Sequence, residues 1–213
     1  MTDNSPTCYL AIDTSTTRGA VALVTADQGE VRILAEREFL TNRSHNSALF
    51  TPAGELIAEL NGQPLEAIIV GTGPGSYTGI RIGIAAANGL AVALNTRVIG
   101  IPSILGLSPE SNDYLAIGDA RRGNGFHWAV RDGVPQDDAV ICTNNKLRYT
   151  IADSSLPAFT LETLPEEFQL DPQKIRLPLL VSRYLDSPRS FESETSVEPV
   201  YLAAPFVTTP KNL

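Results

Sequence analysis

Residues 8–101 switch repeatedly between two hydrophobic periods, and that switching limits the fold more than any other feature of the sequence. Residues 8–12 form a short apolar run closed by Asp13, and residues 19–25 are apolar with several β-branched members. After the turn cluster Ala26-Asp27-Gln28-Gly29, Val31, Ile33 and Ala35 alternate with Arg32, Leu34 and Glu36. Short runs of this kind, joined by tight turns, predict three strands in an antiparallel meander. The period then lengthens. Leu49, Ala53, Leu56, Ile57 and Leu60 fall at helical spacing over residues 47–60, with Ser44 or Ser47 placed to cap the helix. Pro52 is expected near its first turn, because an interior proline breaks a helix. Asn61-Gly62 and then Pro64 supply the stop. Residues 66–71 (EAIIVG) hold a continuous apolar run, the mark of a strand buried on both faces. A glycine-rich turn leads into a second helix over 77–94, and residues 97–101 form another strand. The order β-β-β-α-β-α-β places helices on the faces of a partly parallel sheet.

The second half carries weaker signals. Residues 114–118 and 126–131 read as strands around the turn Arg121-Arg122-Gly123, and residues 139–143 as another after Asp132-Gly133. Pro178 precedes a short helix over 179–185, and residues 197–203 read as a last strand. Residues 154–172 are punctuated by prolines and receive no assignment. The turn residues at 100–109 suggest a boundary, giving an N-terminal unit 1–105 and a smaller C-terminal unit 106–213. No internal repeat is visible.

Charge narrows the partners. The 213 residues carry 24 acidic and 16 basic side chains, a formal net charge of −8. A broad nucleic-acid footprint needs a basic face, so RNA contact is expected only indirectly, and an anionic membrane surface is disfavoured. The start, MTDNSPTCYLAID, has no basic region ahead of a long apolar stretch, so no signal peptide is expected and the reading places the chain in the cytoplasm. The apolar run 80–94 is interrupted by Arg81, Asn88 and two glycines and reads as a buried helix rather than a membrane span. Cys8 and Cys142 sit in separate apolar runs and read as buried reduced thiols. His45 and His127 belong to no metal-ligand spacing, so no metal site is expected.

Four features invite chemistry. Asp13-Thr14-Ser15-Thr16-Thr17 joins two strands, and a carboxylate followed by hydroxyls can hold magnesium and phosphate oxygens. Taken alone, the residues favour a polar hairpin loop satisfying its own backbone. Gly71-Thr72-Gly73-Pro74-Gly75-Ser76-Tyr77-Thr78-Gly79 lies between strand and helix, where anions often bind. It is neither a Walker A loop nor a dinucleotide fingerprint, and Ser76 or Thr78 is placed to cap the helix. Along that helix Gly79, Gly83, Ala87 and Ala91 recur every fourth residue. Each interior glycine costs about 1 kcal/mol against alanine, so a stripe of small residues implies a close backbone approach. The stripe packs either on the chain's own sheet or on a partner helix. Last, Asp119 and Arg121 stand two apart in a turn, where they either pair or face a cleft; taken alone, the residues favour a plain turn.

The strings LAIDTSTTRGAVALV, Ser44-His45, GTGPGSYTGIRIGIAAANGLA, Val98-Ile99-Gly100-Ile101-Pro102-Ser103, IGDARRGNGFHWAV and EPVYL occur in that order and together resemble the TsaB (YeaZ) family of the glycoprotease-like superfamily. The resemblance is dense over 10–102, returns at 117–130 and touches 198–202. It implies an α/β, actin-like ATPase (ribonuclease-H-like) fold with two subdomains, the C-terminal one shortened. It implies a non-catalytic scaffold subunit of the tRNA threonylcarbamoyladenosine-forming complex. Such a subunit binds a TsaD-type catalytic subunit, is joined by a TsaE-type ATPase and forms a homodimer when alone. It places the partner interface on the two N-terminal helices, at Ser47, Leu49, Leu56, Leu60, Gly79, Ile80, Gly83, Ala87 and Leu90. It makes the loop at Asp13, Thr14, Ser15 and Thr16 a remnant phosphate loop able at most to bind nucleotide weakly. No other cofactor, no metal and no catalytic residue is expected. The competing reading is a small ATPase or phosphotransferase of the same fold. That reading needs a second phosphate loop in the C-terminal half, where no glycine-rich candidate stands.

Overall fold

The computed structural model describes residues 6–41, 45–107, 110–192 and 196–202. Strands β1 (Thr7–Asp13), β2 (Arg18–Asp27) and β3 (Glu30–Leu40) form the antiparallel meander. Helix α1 (His45–Glu59) crosses to β4 (Leu65–Gly71), which lies parallel to β1. Helix α2 (Tyr77–Leu94) crosses to β5 (Arg97–Ile101), parallel to β4. The sheet order is β3-β2-β1-β4-β5.

Alternation along the strands divides the core. Leu10 and Ile12 of β1, Leu23 of β2 and Val70 of β4 face α1 and α2, where they meet Leu49, Leu56, Ile80 and Ala87. Tyr9, Ala11, Ala22 and Ile69 face the other way, toward the second half of the chain. Leu10, Ile12, Leu49 and Leu56 are wholly buried, and each such side chain contributes roughly 1.5–3 kcal/mol. Helix α2 starts where the Ser76 side chain accepts from Gly79 N, and it ends on Asn95 in the left-handed conformation. Among the described residues it is the one helix with the length and apolarity of a membrane span. Its Ile80, Ile84, Ala87 and Ala91 side lies on the sheet.

Pro52 departs from expectation, since it lies in the middle of α1 and not in its first turn. The helix loses the N–H that would bond to the carbonyl of Ala48, yet continues because Leu49, Ala53, Leu56 and Leu60, before and after the proline, are all anchored in the core. The proposed caps Ser44 and Ser47 are another matter: Ser44 and the side chains of His45 and Ser47 lie outside the described residues.

The second sheet is built from β6 (Tyr114–Arg121), β7 (Asn124–Arg131), β8 (Val134–Pro135), β9 (Val140–Thr143) and β10 (Ala158–Thr160). Its order is β10-β6-β7-β8, with β9 also pairing β7. Helix α3 (Asn144–Asp153) connects β9 to β10, which runs parallel to β6. An antiparallel meander, a helix and a strand parallel to the first thus occur twice, once in each half, although no sequence repeat marks it. Helix α3 escaped the sequence reading because its polar face dominates and only Leu147 is fully buried. Helix α4 (Leu177–Asp186) starts with Pro178 in its first turn and packs on the first sheet. The short helix α5 (Pro188–Phe191) follows. Leu180 and Val181 of α4 join the cluster that also holds Tyr9, Ile69, Tyr114 and Trp128, so this core spans both sheets. The last strand expected at 197–203 is absent over its described part, 197–202; there Val200 N donates to the Thr72 carbonyl at 2.8 Å as a single bridging bond.

Candidate functional site: the loop 13–17 and the glycine-rich turn

Asp13 ends β1 at the middle of the first sheet and is 1% exposed. Its Oδ1 accepts from Ser15 N at 2.8 Å and Ser15 Oγ at 2.7 Å, and its Oδ2 accepts from Ser103 Oγ at 2.6 Å. Burial pushes the carboxyl above its ordinary value, against the pull of those three hydrogen bonds. Ser103 also accepts from Gly73 N at 2.9 Å, while its own N–H donates to the Gly73 carbonyl at 2.7 Å. One serine therefore ties the end of β1 to the glycine-rich turn. The one cue to this role in the sequence is a Pro-Ser pair directly after a buried strand.

The glycine-rich turn wraps the loop closely. Ser76 N donates to the Ser15 carbonyl at 2.6 Å. Thr14 Oγ1 donates to the Gly79 carbonyl at 2.7 Å. A Cβ on Gly71 would overlap the Asp13 carboxylate, one on Gly79 the Thr14 carbonyl oxygen, and one on Gly83 the Thr14 hydroxyl. Gly73 additionally needs its φ of 95°. The glycines are thus explained by contact with residues 13–15. Thr16 closes the loop by donating to the Arg18 carbonyl at 2.8 Å, and its own carbonyl accepts from Thr41 Oγ1 at 2.7 Å. In loop 13–17, Asp13, Thr14, Ser15 and Thr16 all spend their side-chain groups on the chain itself.

The exposed rim of the same loop borders a cleft of about 640 Å³ between the two halves. Arg18, Arg121 and Lys174 line it together with Asp13, Glu38 and Glu162. Its cations are paired: Lys174 reaches Glu38 at 2.8 Å, and Arg121 reaches Asp119 at 2.8 Å. Burial is the main cause that raises the Glu162 carboxyl above its usual range. Asp119 also accepts from Arg121 N at 2.7 Å, the same two-residue turn that Asp13 makes with Ser15 N. The two carboxylates occupy matching positions in the two meanders. Gly118, just before Asp119, leaves room for the Phe126 ring.

The proposed interface residues need correction. Leu49, Leu56, Leu60, Gly79, Ile80, Gly83 and Ala87 are buried within the chain, and Leu90 is half-buried against the same cluster. The small-residue stripe serves the chain's own sheet and loop. The side chain of Ser47 lies outside the described residues. The surface these helices present includes Phe50, Glu55 and Glu59 on α1 and, on α2, a row of Tyr77, Arg81, Ala85, Asn88 and Val92 recurring every three or four residues, with Val92 85% exposed. His127 is half-buried on β7, and burial lowers its pKa. Cys8 and Cys142 are buried free thiols in different clusters. Among the described residues no three His, Cys, Asp or Glu side chains are grouped to hold a metal.

A family model described as TsaD, tRNA N6-adenosine threonylcarbamoyltransferase, matches residues 39–134. An uncharacterised protein of Mycobacterium leprae is 36% identical over 129 residues, covering 59% of this chain and 36% of that protein. The tRNA threonylcarbamoyladenosine biosynthesis protein TsaB of Haemophilus influenzae is 32% identical over 137 residues, covering 60% of this chain and 56% of its own length. Over these residues the chain is similar to proteins of the TsaB family. YeaZ from Pseudomonas aeruginosa superposes with a TM-score of 0.66 over 92% of this chain and 100% of that one, at 22% identity, which fixes the fold as actin-like. The match spans little more than half the length of the Haemophilus TsaB and about a third of the Mycobacterium protein.

Proposed function

We propose that the protein is a non-catalytic subunit of the machinery that forms threonylcarbamoyladenosine in tRNA, and that it binds and stabilises a TsaD-type catalytic subunit. The reading rests on the named TsaB relatives. The observation that carries the mechanism is the use made of loop 13–17. Its carboxylate and hydroxyls brace the start of α2 instead of standing free for a phosphate. A braced helix start presents α2 as a rigid surface, and binding to a rigid surface loses less entropy. The subunit then acts by favouring its partner's active arrangement, without making or breaking bonds. The outward row of α2, with Phe50 of α1, is the surface assigned to that partner. The same face serves a homodimer when the chain is alone, and a TsaE-type ATPase joins the assembly. With a net charge of −8, the chain leaves tRNA to its partners.

Light scattering of the protein mixed with the TsaD-type subunit of its own organism tests this. A one-to-one species is expected, and Val92→Asp should weaken it by about tenfold or more, because a charge then replaces an apolar contact. Absence of any complex refutes the reading.

The 640 Å³ cleft favours a second reading, an ATP-binding protein whose nucleotide lies between Arg18, Arg121 and Lys174. Titration of the isolated protein with magnesium-ATP decides it, since tight saturable binding would replace the scaffold reading.

A further inference from the structure

Arg81 stands exposed on the second turn of α2. Its guanidinium lies over the Tyr77 ring, 4.3 Å from the centroid, and 5.7 Å from that of Tyr201. Nε donates to the Tyr201 hydroxyl at 2.7 Å. The two rings stack at 5.2 Å with a tilt of 31°. Tyr201 is held there by segment 196–202, through the Val200–Thr72 hydrogen bond and through Val197, which fills the space beside Gly100. Arg32, Arg37, Arg97, Arg121 and Arg131 each reach a carboxylate; Arg81 reaches none among the described residues. Its terminal nitrogens have no partner there either, so a flat, oriented fork of N–H donors faces solvent.

We propose that the Tyr77–Arg81–Tyr201 cluster anchors a carboxylate side chain of the protein that docks on α2. The inference rests on the reading of α2's outward row as a partner surface and names that surface's charged contact. An arginine fork binds a carboxylate bidentately, and stacking on tyrosine fixes its plane in advance. In a chain of net charge −8, such a cation draws an acidic group to one spot. A phosphate would suit the same fork. However, RNA binding relies on many cations together, and the row continues as Ala85, Asn88 and Val92, which is neutral. The geometry therefore favours a protein carboxylate.

The test measures affinity for the TsaD-type subunit of the same organism by calorimetry at low and high sodium chloride, with bulk tRNA as a second probe. Arg81→Ala should weaken protein binding by about tenfold or more and flatten its salt dependence. Arg81→Lys keeps the charge but loses the fork, and should recover only part of the affinity. Tyr201→Phe removes the hydroxyl that holds Nε and should cost a few-fold. All three should keep the wild-type thermal midpoint, since the altered groups are exposed. If Val92→Asp abolishes binding while Arg81→Ala leaves affinity and salt dependence unchanged, the α2 surface stands and the anchor is overturned. If Arg81→Ala weakens tRNA binding but not protein binding, the anchor belongs to a phosphate and the proposal fails. If the wild-type protein does not bind the subunit, the anchor falls together with the surface.

Discussion

Replacing the glycines of α2 one at a time by alanine separates the helix's need for flexibility from its need for space. Gly89 has nothing within 4 Å of an added Cβ. Gly89→Ala should therefore stabilise the protein by about 0.5–1 kcal/mol, the ordinary gain in helix propensity. At Gly83 the methyl group would overlap the Thr14 hydroxyl. The threonine must rotate away and lose its 2.7 Å bond to the Gly79 carbonyl. A lost hydrogen bond with a stranded buried hydroxyl costs about 2–3 kcal/mol. Less the propensity gain, Gly83→Ala should destabilise by about 1–2 kcal/mol. At Gly79 the obstacle is the Thr14 carbonyl oxygen, which moves only with the backbone of loop 13–17. Overpacking typically costs 1–3 kcal/mol, and the same hydrogen bond is strained, so Gly79→Ala should lose about 2–4 kcal/mol. Urea denaturation of the three variants, read through midpoints at constant slope, gives the order directly. Thr14→Ala supplies the cycle: it removes the oxygen that meets the Gly83 methyl, so in that background Gly83→Ala should recover the propensity gain of about 0.5–1 kcal/mol. If Gly83→Ala proves as stable as Gly89→Ala, or if Thr14→Ala leaves its cost unchanged, the contact between α2 and loop 13–17 is not what selects glycine.

The remaining predictions concern the shared core and the buried carboxyl. Leu180→Ala in α4 should cost about 2–5 kcal/mol, since this fully buried side chain belongs to the cluster spanning both sheets. Emission of Trp128, the only tryptophan, and far-UV circular dichroism should then shift to lower urea by equal amounts, and separate transitions would show that the two halves unfold independently. The Asp13 carboxyl is raised in the folded state, so the folded protein holds that proton more tightly than the unfolded chain. Its favourable contribution is complete below the unfolded value and is lost as pH rises through the folded one. Asp13→Asn, a neutral isostere, should remove that slope, and stability of the two proteins measured from pH 4 to 7 should diverge from parallel; parallel curves would contradict the raised value.

Most of the first half was legible because its elements are buried in the way their periods predict; in β3 the alternation breaks at Leu34, where the register shifts and Ile33 is left 46% exposed. Residues 77–94 and 97–101 were placed to the residue, since Ser76 caps α2, Asn95 ends it, and β5 is rich in β-branched residues and buries Ile99 and Ile101. Pro52 misled because a local rule was applied to a helix whose tertiary anchors flank the proline on both sides. The second half was less legible because its elements are short and lean on the first. β10 has three residues, and α3 buries one leucine fully. The site was half visible. The loop and the glycines were both noticed, but sequence cannot say which way a stripe faces. The choice between partner and own sheet hung on Thr14, whose hydroxyl sits where a Gly83 side chain would be. Ser103 was invisible as a site residue, because its bond to Asp13 spans 90 positions.

The site also explains how one turn can look like a phosphate loop and serve another purpose. A phosphate-binding turn offers backbone N–H groups at a helix start, and glycines let the backbone approach the anion. Here the approaching group is the chain itself: Ser76 N meets the Ser15 carbonyl, Gly73 N meets Ser103 Oγ, and Ser15 N meets Asp13. The Asp13 carboxylate takes the place of an external anion, and its three hydrogen bonds hold β1, the loop and the turn after β5 together. Burying that charge is costly, as its raised pKa attests. The benefit is a fixed start for α2, and the Tyr77–Arg81–Tyr201 cluster lies within two turns of it. Loosening Asp13 should therefore reach the outward face of α2 through the backbone of one helix, without touching any residue a partner would contact.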